Sequence, residues 1–142
     1  MMDVLYKRLK LAFSLTSDLV ENLNEENLKL RLDHLPSNTI GMQLWCMVGA
    51  RESYLNAIKN KVWVGFSCSL DDAHSLEKVK DTLKKTAMFF SEYLESHGLN
   101  EKQVDLLLAL LEHEILHHGQ LSHYVYGNKL AFPRSWNERY SV

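Results

Sequence analysis

The chain has 142 residues, 46% of them hydrophobic and 24% charged, enough to bury one core and too few for two, so residues 1–142 read as a single domain. Lys and Arg number 16 against 18 Asp and Glu, a formal charge of -2, which lacks the concentrated positive field that nucleic acid or an anionic membrane surface requires. No apolar run approaches the roughly 20 residues that span a bilayer, no secretory pattern opens the chain, and Cys46 and Cys68 make no disulfide framework, so a cytoplasmic protein is expected.

Over residues 3–21, Val4, Leu5, Leu9, Ala12, Phe13, Leu15, Leu19 and Val20 recur at three- and four-residue spacing and predict a first helix. Residues 22–36 are polar and leucine-dotted, a connector with a short helical turn near Glu25, and Pro36 resets the backbone. Ser37, Asn38 or Thr39 then caps a second helix over 40–59. Residues 61–69 alternate apolar and polar briefly and read as a crossover loop anchored by Trp63 and Phe66, in preference to a strand. Asp71 or Asp72 is expected to cap a third helix running through Leu94, stopped by His97 and by Gly98 in the left-handed conformation. Asn100 with Gln103 spells a capping box for a fourth helix over 101–126, ended by Gly127 and Asn128, and the aromatic tail from Lys129 is expected to pack. Four long helices without repeats predict an all-α protein, an up-down four-helix bundle.

The fourth helix places four of the seven histidines within residues 113–123. At about 100° per residue, His117 lies only about 40° from His113, and both share an inner stripe with Leu106, Leu110 and Tyr124. Two imidazoles one turn apart converge on one point, and neutral imidazole suits Zn, Ni, Cu or Fe. The alternative is a pair of hydrogen-bonded core histidines, but two such rings buried on a leucine-rich stripe without partners cost about 1 to 3 kcal/mol each, which favours ligands. His118 and His123 fall about 140° and 280° round the helix and read as surface residues or supports behind the ligands. Glu114, about 100° from His113, reads the same way. Arg51, Glu52 and Tyr54 are candidate pocket residues that read more readily as solvated or interface side chains, and His34, His74 and His97 carry no signal.

His113, Glu114 and His117 also spell H-E-x-x-H, the zinc-protease pattern, with His123 at the distance of a third ligand. The longer motif needs glycine at position 120, where Gln120 stands, and a protease of that kind needs a sheet that this helical sequence does not supply. Protease activity is not expected.

Taken together, the fourth and second helices resemble the DinB-like family. His113, Glu114, His117, His118, Gly119, Gln120 and Leu121 are similar to that family's signature: a histidine, an acidic residue, a second histidine four after the first, one residue, then Gly-Gln and an apolar residue. His118 stands where many members carry arginine. Residues 39–55, TIGMQLWCMVGARESYL, resemble the segment entering the family's second helix, and residues 133–136 also fit. The likeness spans nearly the whole chain in length and helix order, although only the fourth-helix motif is specific.

The resemblance implies a bundle, often dimeric, with a metal held by one histidine of the second helix and two of the last. His113 and His117 match the latter pair, and the place of the first falls on Cys46. As thiolate, Cys46 is a competent third ligand for Zn or Ni; equally, it reads as a small buried filler in a decayed site. The resemblance further implies thiol-dependent transferase chemistry on a low-molecular-weight thiol, with hydrolysis as the other use of an open metal position. A non-catalytic helical binding or stress protein with a degenerate metal site is the reading from a different class. A homodimer is expected, because Leu108 and Ile115 lie about 200° to 220° from His113 and ask for a neighbour on that side.

Overall fold

Capping side chains set the starts of three of the helices. In a computed structural model that describes residues 2–142, the helices are α1 (Met2–Glu21), α2 (Ile40–Asn60), α3 (Leu76–Ser96), α4 (Glu101–Gly127) and α5 (Arg134–Tyr140), with a 3-10 turn at Glu26–Lys29. The described residues form no strand, and 61–69 is the expected loop. Thr39 caps α2, its hydroxyl accepting from Met42 N at 3.1 Å, and Asn100 and Gln103 close the expected capping box of α4.

Two boundaries differ from expectation. Ser75 rather than Asp71 or Asp72 caps α3; Asp72 instead accepts from His74 N at 2.9 Å, and Asp71 pairs with Lys78 at 3.0 Å, so both carboxylates are used just ahead of the first turn. At the other end, α3 stops because His97 is extended (φ −133°), and Gly98 does not take a left-handed conformation.

The long helices pack α1 on α3 and α4, and α2 on α3 and α4. Their registers fix direction. Tyr6 meets Ser91 while Glu21 pairs with Lys80, so α1 and α3 are antiparallel. Gln43 meets His117 while Ile58 O accepts from Gln103, so α2 and α4 are antiparallel. Arg51 reaches Leu83 O and Lys59 lies over the Tyr93 ring, so α2 and α3 run parallel. α1 and α4 therefore point one way and α2 and α3 the other, in place of strict up-down alternation. The 15-residue crossover between α2 and α3 permits this: extended, it reaches about 50 Å, longer than the roughly 31 Å of α2.

The core has two apolar halves. Leu15, Leu19, Leu44, Met47, Leu121 and Trp136 pack in one; Leu9, Phe13, Ile58, Phe90, Leu107 and Leu110 pack in the other. Between them lies a buried polar layer of Thr16, Arg51, Thr86, Glu114 and His118. The tail packs as expected, and it does so as the helix α5, which makes five α-helices where four were expected. Trp136 is fully buried, and its indole N–H donates to Leu15 O at 2.6 Å.

Candidate metal centre

Cys46 on α2 and His113 and His117 on α4 come together where the two helices pack side by side. One ligand atom from each lies within 4.8 Å of the other two. The Cys46 Sγ stands 3.7 Å from His113 Nε2. Around a tetrahedral Zn, with bonds of about 2.3 Å to sulfur and about 2.05 Å to nitrogen, a sulfur–nitrogen edge is about 3.6 Å, so that pair is already spaced as two ligands of one ion. The His113 and His117 rings are 4.5 Å apart between centroids.

The protonation of His117 follows from its neighbours. Gln43 Nε2 donates to Asn38 Oδ1 at 3.0 Å, which turns the Gln43 carbonyl oxygen toward His117 Nδ1, 2.5 Å away. That oxygen only accepts, so Nδ1 carries the proton and the Nε2 lone pair is free for an ion. Burial, helped by neighbouring His113, pushes His117 down to about 4, and burial likewise lowers His113, with Glu114 opposing. Both rings are neutral at pH 7, the state a ligand needs. Burial pushes the Cys46 thiol up, so Cys46 is mainly a protonated thiol at neutral pH, and a bound cation would favour its ionisation.

His113 Nδ1 is buried with no hydrogen-bond partner. Whichever ring nitrogen carries the proton, that atom stays unpaired, at a cost of about 1 to 3 kcal/mol. The residues thus fit a metal in donor type and spacing, with Gln43 supporting His117 and nothing equivalent behind His113.

The adjacent face of α4 carries the polar layer. Arg51 and Glu114 form an ion pair with both side chains fully buried: Arg51 Nε donates to Glu114 Oε2 at 3.2 Å and Nη2 to Oε1. Arg51 Nη1 donates to Leu83 O and Thr86 Oγ1, and its guanidinium lies 3.8 Å from the centre of the Phe13 ring. A single proton arrangement satisfies the rest. Tyr140 O–H donates to His118 Nδ1 (2.6 Å), His118 Nε2–H to Thr16 Oγ1 (2.7 Å), and Thr16 O–H to Glu114 Oε1 (2.6 Å). Burial pushes Glu114 up, but the Arg51 charge and hydrogen bonds outweigh it and hold the carboxyl below its ordinary value. Burial lowers His118 to about 4, which keeps it neutral.

The structure brings the sequence-predicted residues Cys46, His113 and His117 close enough to hold a metal ion, whereas sequence reasoning missed the polar layer. Glu114 and His118 are not at the surface, and Arg51 is not a pocket residue. The signal was present: Leu44, Val48, Arg51 and Leu55, and Leu107, Leu110, Glu114, His118 and Leu121, each follow helical core spacing, so opposite charges fall on two apolar stripes. Gln43 was also missed, although it lies on the Cys46 face one turn earlier. Glu52 is engaged by Ser69, whose N and Oγ both donate to its carboxylate, and Tyr54 packs edge-on to Trp63 with centroids 5.3 Å apart. His123 is exposed, and His74 bonds the Thr39 hydroxyl at 2.9 Å.

No protein-family model matches the chain, and comparison with curated proteins finds no significant match. No helix among the described residues is long and apolar enough to cross a membrane.

Proposed function

We propose that this is a metal-binding protein of the DinB-like kind, in which Cys46, His113 and His117 hold one divalent transition metal, Zn or Ni, and leave a position open for a low-molecular-weight thiol or water. The observation that carries it is the spacing of three chemically suitable donors from two helices, Cys46 Sγ and His113 Nε2 already 3.7 Å apart. A divalent ion held there supplies Lewis acidity, which activates a thiol or water near neutral pH for S-transfer or hydrolysis. The protein's part is to aim and to tune. Gln43 fixes the His117 tautomer, the buried Arg51–Glu114 pair locks the rotation of α4, and the Cys46 thiolate reduces the ion's charge, making it a milder acid than one held by three imidazoles.

Metal per chain, measured by plasma mass spectrometry on protein purified without an affinity tag, tests the site. One ion is expected, lost in both His113→Ala and His117→Ala; unchanged stoichiometry in those variants overturns the reading. Cobalt-loaded protein should show an intense near-ultraviolet thiolate band that Cys46→Ser removes. The unpartnered His113 Nδ1 favours the second reading, a non-catalytic bundle with a degenerate site. Metal-dependent consumption of a small thiol with an electrophilic acceptor separates the two. A homodimer belongs to the proposal, since Leu108 and Ile115 remain 43% and 38% exposed on α4. Sedimentation equilibrium at micromolar concentration should return twice the 16.5 kDa chain mass.

A further inference from the structure

The second cysteine lies beside the candidate site. Cys68 is in the crossover between α2 and α3, half-buried, its Sγ donating to Trp45 O at 3.4 Å. Trp45 immediately precedes Cys46. The Cys68 Cβ stands 3.1 Å from where a Cβ on Gly49 would be, and Gly49 is one helical turn after Cys46, a step of about 5 to 6 Å between side chains. The two cysteine β-carbons are therefore within about 9 Å of each other.

We propose that Cys46 and Cys68 are a disulfide-forming pair, and that closing it removes the sulfur donor from the Cys46, His113 and His117 set. The disulfide stands on the geometry of the two cysteines alone; its consequence for the metal rests on the function proposed above. A disulfide needs its β-carbons about 4 Å apart, so the crossover must slide toward Cys46. Its anchors allow that. Ser67 N donates to Ser53 Oγ at 2.9 Å and Ser69 to the Glu52 carboxylate, so these attachments to α2 run through side chains that turn with the loop rather than through a backbone ladder. Gly65, with φ +104° and nothing against it, supplies a joint just before Phe66. Gly49 is the only side-chain-free position beneath Phe66 and Cys68, and any Cβ there would collide with the Phe66 ring.

The oxidant is hydrogen peroxide, which accepts the two electrons. The Cys46 sulfur attacks the peroxide oxygen; an S–O bond forms, the O–O bond breaks and water leaves. The Cys68 sulfur then attacks the Cys46 sulfur, the S–S bond forms, the S–O bond breaks and a second water carries off the remaining proton.

Metal-free protein treated with hydrogen peroxide tests the pair. The expected result is loss of the mass of two hydrogens and one tryptic species joining residues 32–51 to 62–78. Zinc-loaded protein treated in the same way should fall from one ion per chain to almost none and regain it after dithiothreitol. Cys68→Ser, with Cys68→Ala as the second variant, should bind zinc like the parent and on oxidation gain oxygen at Cys46. Oxygen addition to the parent cysteines without a disulfide, or a disulfide between chains, overturns the proposal. The two proposals fail separately: protein that never binds zinc yet forms the disulfide refutes the metal reading alone, and protein that binds zinc and forms no disulfide refutes the pair alone.

Discussion

Gln43 decides which nitrogen of His117 faces the site. Replacing it with leucine removes the only acceptor for Nδ1–H and frees the tautomer, so Gln43→Leu should weaken zinc binding about 10- to 100-fold with the helical circular dichroism unchanged. Cys46 sets the pH dependence. Because burial keeps its thiol protonated while both histidines are neutral, binding releases one proton, and zinc affinity should rise about tenfold per pH unit from pH 6 to 8. That slope should vanish in Cys46→Ser; a slope that persists assigns the proton elsewhere. Calorimetric titration in buffers of different ionisation enthalpy measures it. In the polar layer, Arg51→Met or Glu114→Leu alone leaves an uncompensated buried group and should cost about 3 to 5 kcal/mol. Combining Arg51→Met with Glu114→Leu should recover most of it, and urea unfolding of the single and double variants gives the coupling. These residues also mark where the sequence was readable. The His113 and His117 pair shows itself by residue type and spacing along one helix, and Cys46 was reached only through the family resemblance; likewise the partner of a buried charge sits on another helix, and pairing Arg51 with Glu114 requires knowing that α2 packs antiparallel on α4.

Among the elements, the long helices were legible because their apolar residues keep strict period and Thr39 and Asn100 are strong caps. The direction of α3 was not, since nothing in its periodicity says whether a 15-residue crossover turns back or runs the length of the bundle. α5 is too short to show a period, yet Trp136 fills the core beside Leu15 and His118. Trp136→Ala should destabilise the protein by about 3 to 5 kcal/mol, more than a short terminal helix suggests, and Tyr140→Phe by about 1 to 3 kcal/mol through the unpaired His118 Nδ1. Thermal unfolding of the two variants reads both values, and near-neutral results would place α5 outside the cooperative core.

At the scale of the whole molecule, the buried histidines make the metal-free fold acid-sensitive. His117 and His118 are held near 4, while in the unfolded chain they return to the ordinary value near 6.5. Between those limits the unfolded state binds protons that the folded state refuses, so stability is intact above about pH 6.5 and falls on acidification, by up to ~1.4 kcal/mol per pH unit for each histidine. Urea midpoints from pH 7 to 4.5 check the sign; in His118→Asn the decline should be shallower.

α4 carries His113 and His117 on one face and Glu114 and His118 on the next, so a side chain of the site and a side chain of the polar layer alternate along one rod. That rod cannot turn without tearing Glu114 from Arg51. Mechanically it is the fixed jaw of a vice. Movement about the site falls to the other jaw, where the middle of the stretch from Lys61 to Ser75 is tied to α2 through side chains, those of Ser53, Glu52 and Trp45 among them, and not by a backbone ladder. Amide hydrogens around Glu114 should therefore be among the last to exchange with deuterium and those around Phe66 among the first, whatever occupies the gap between them.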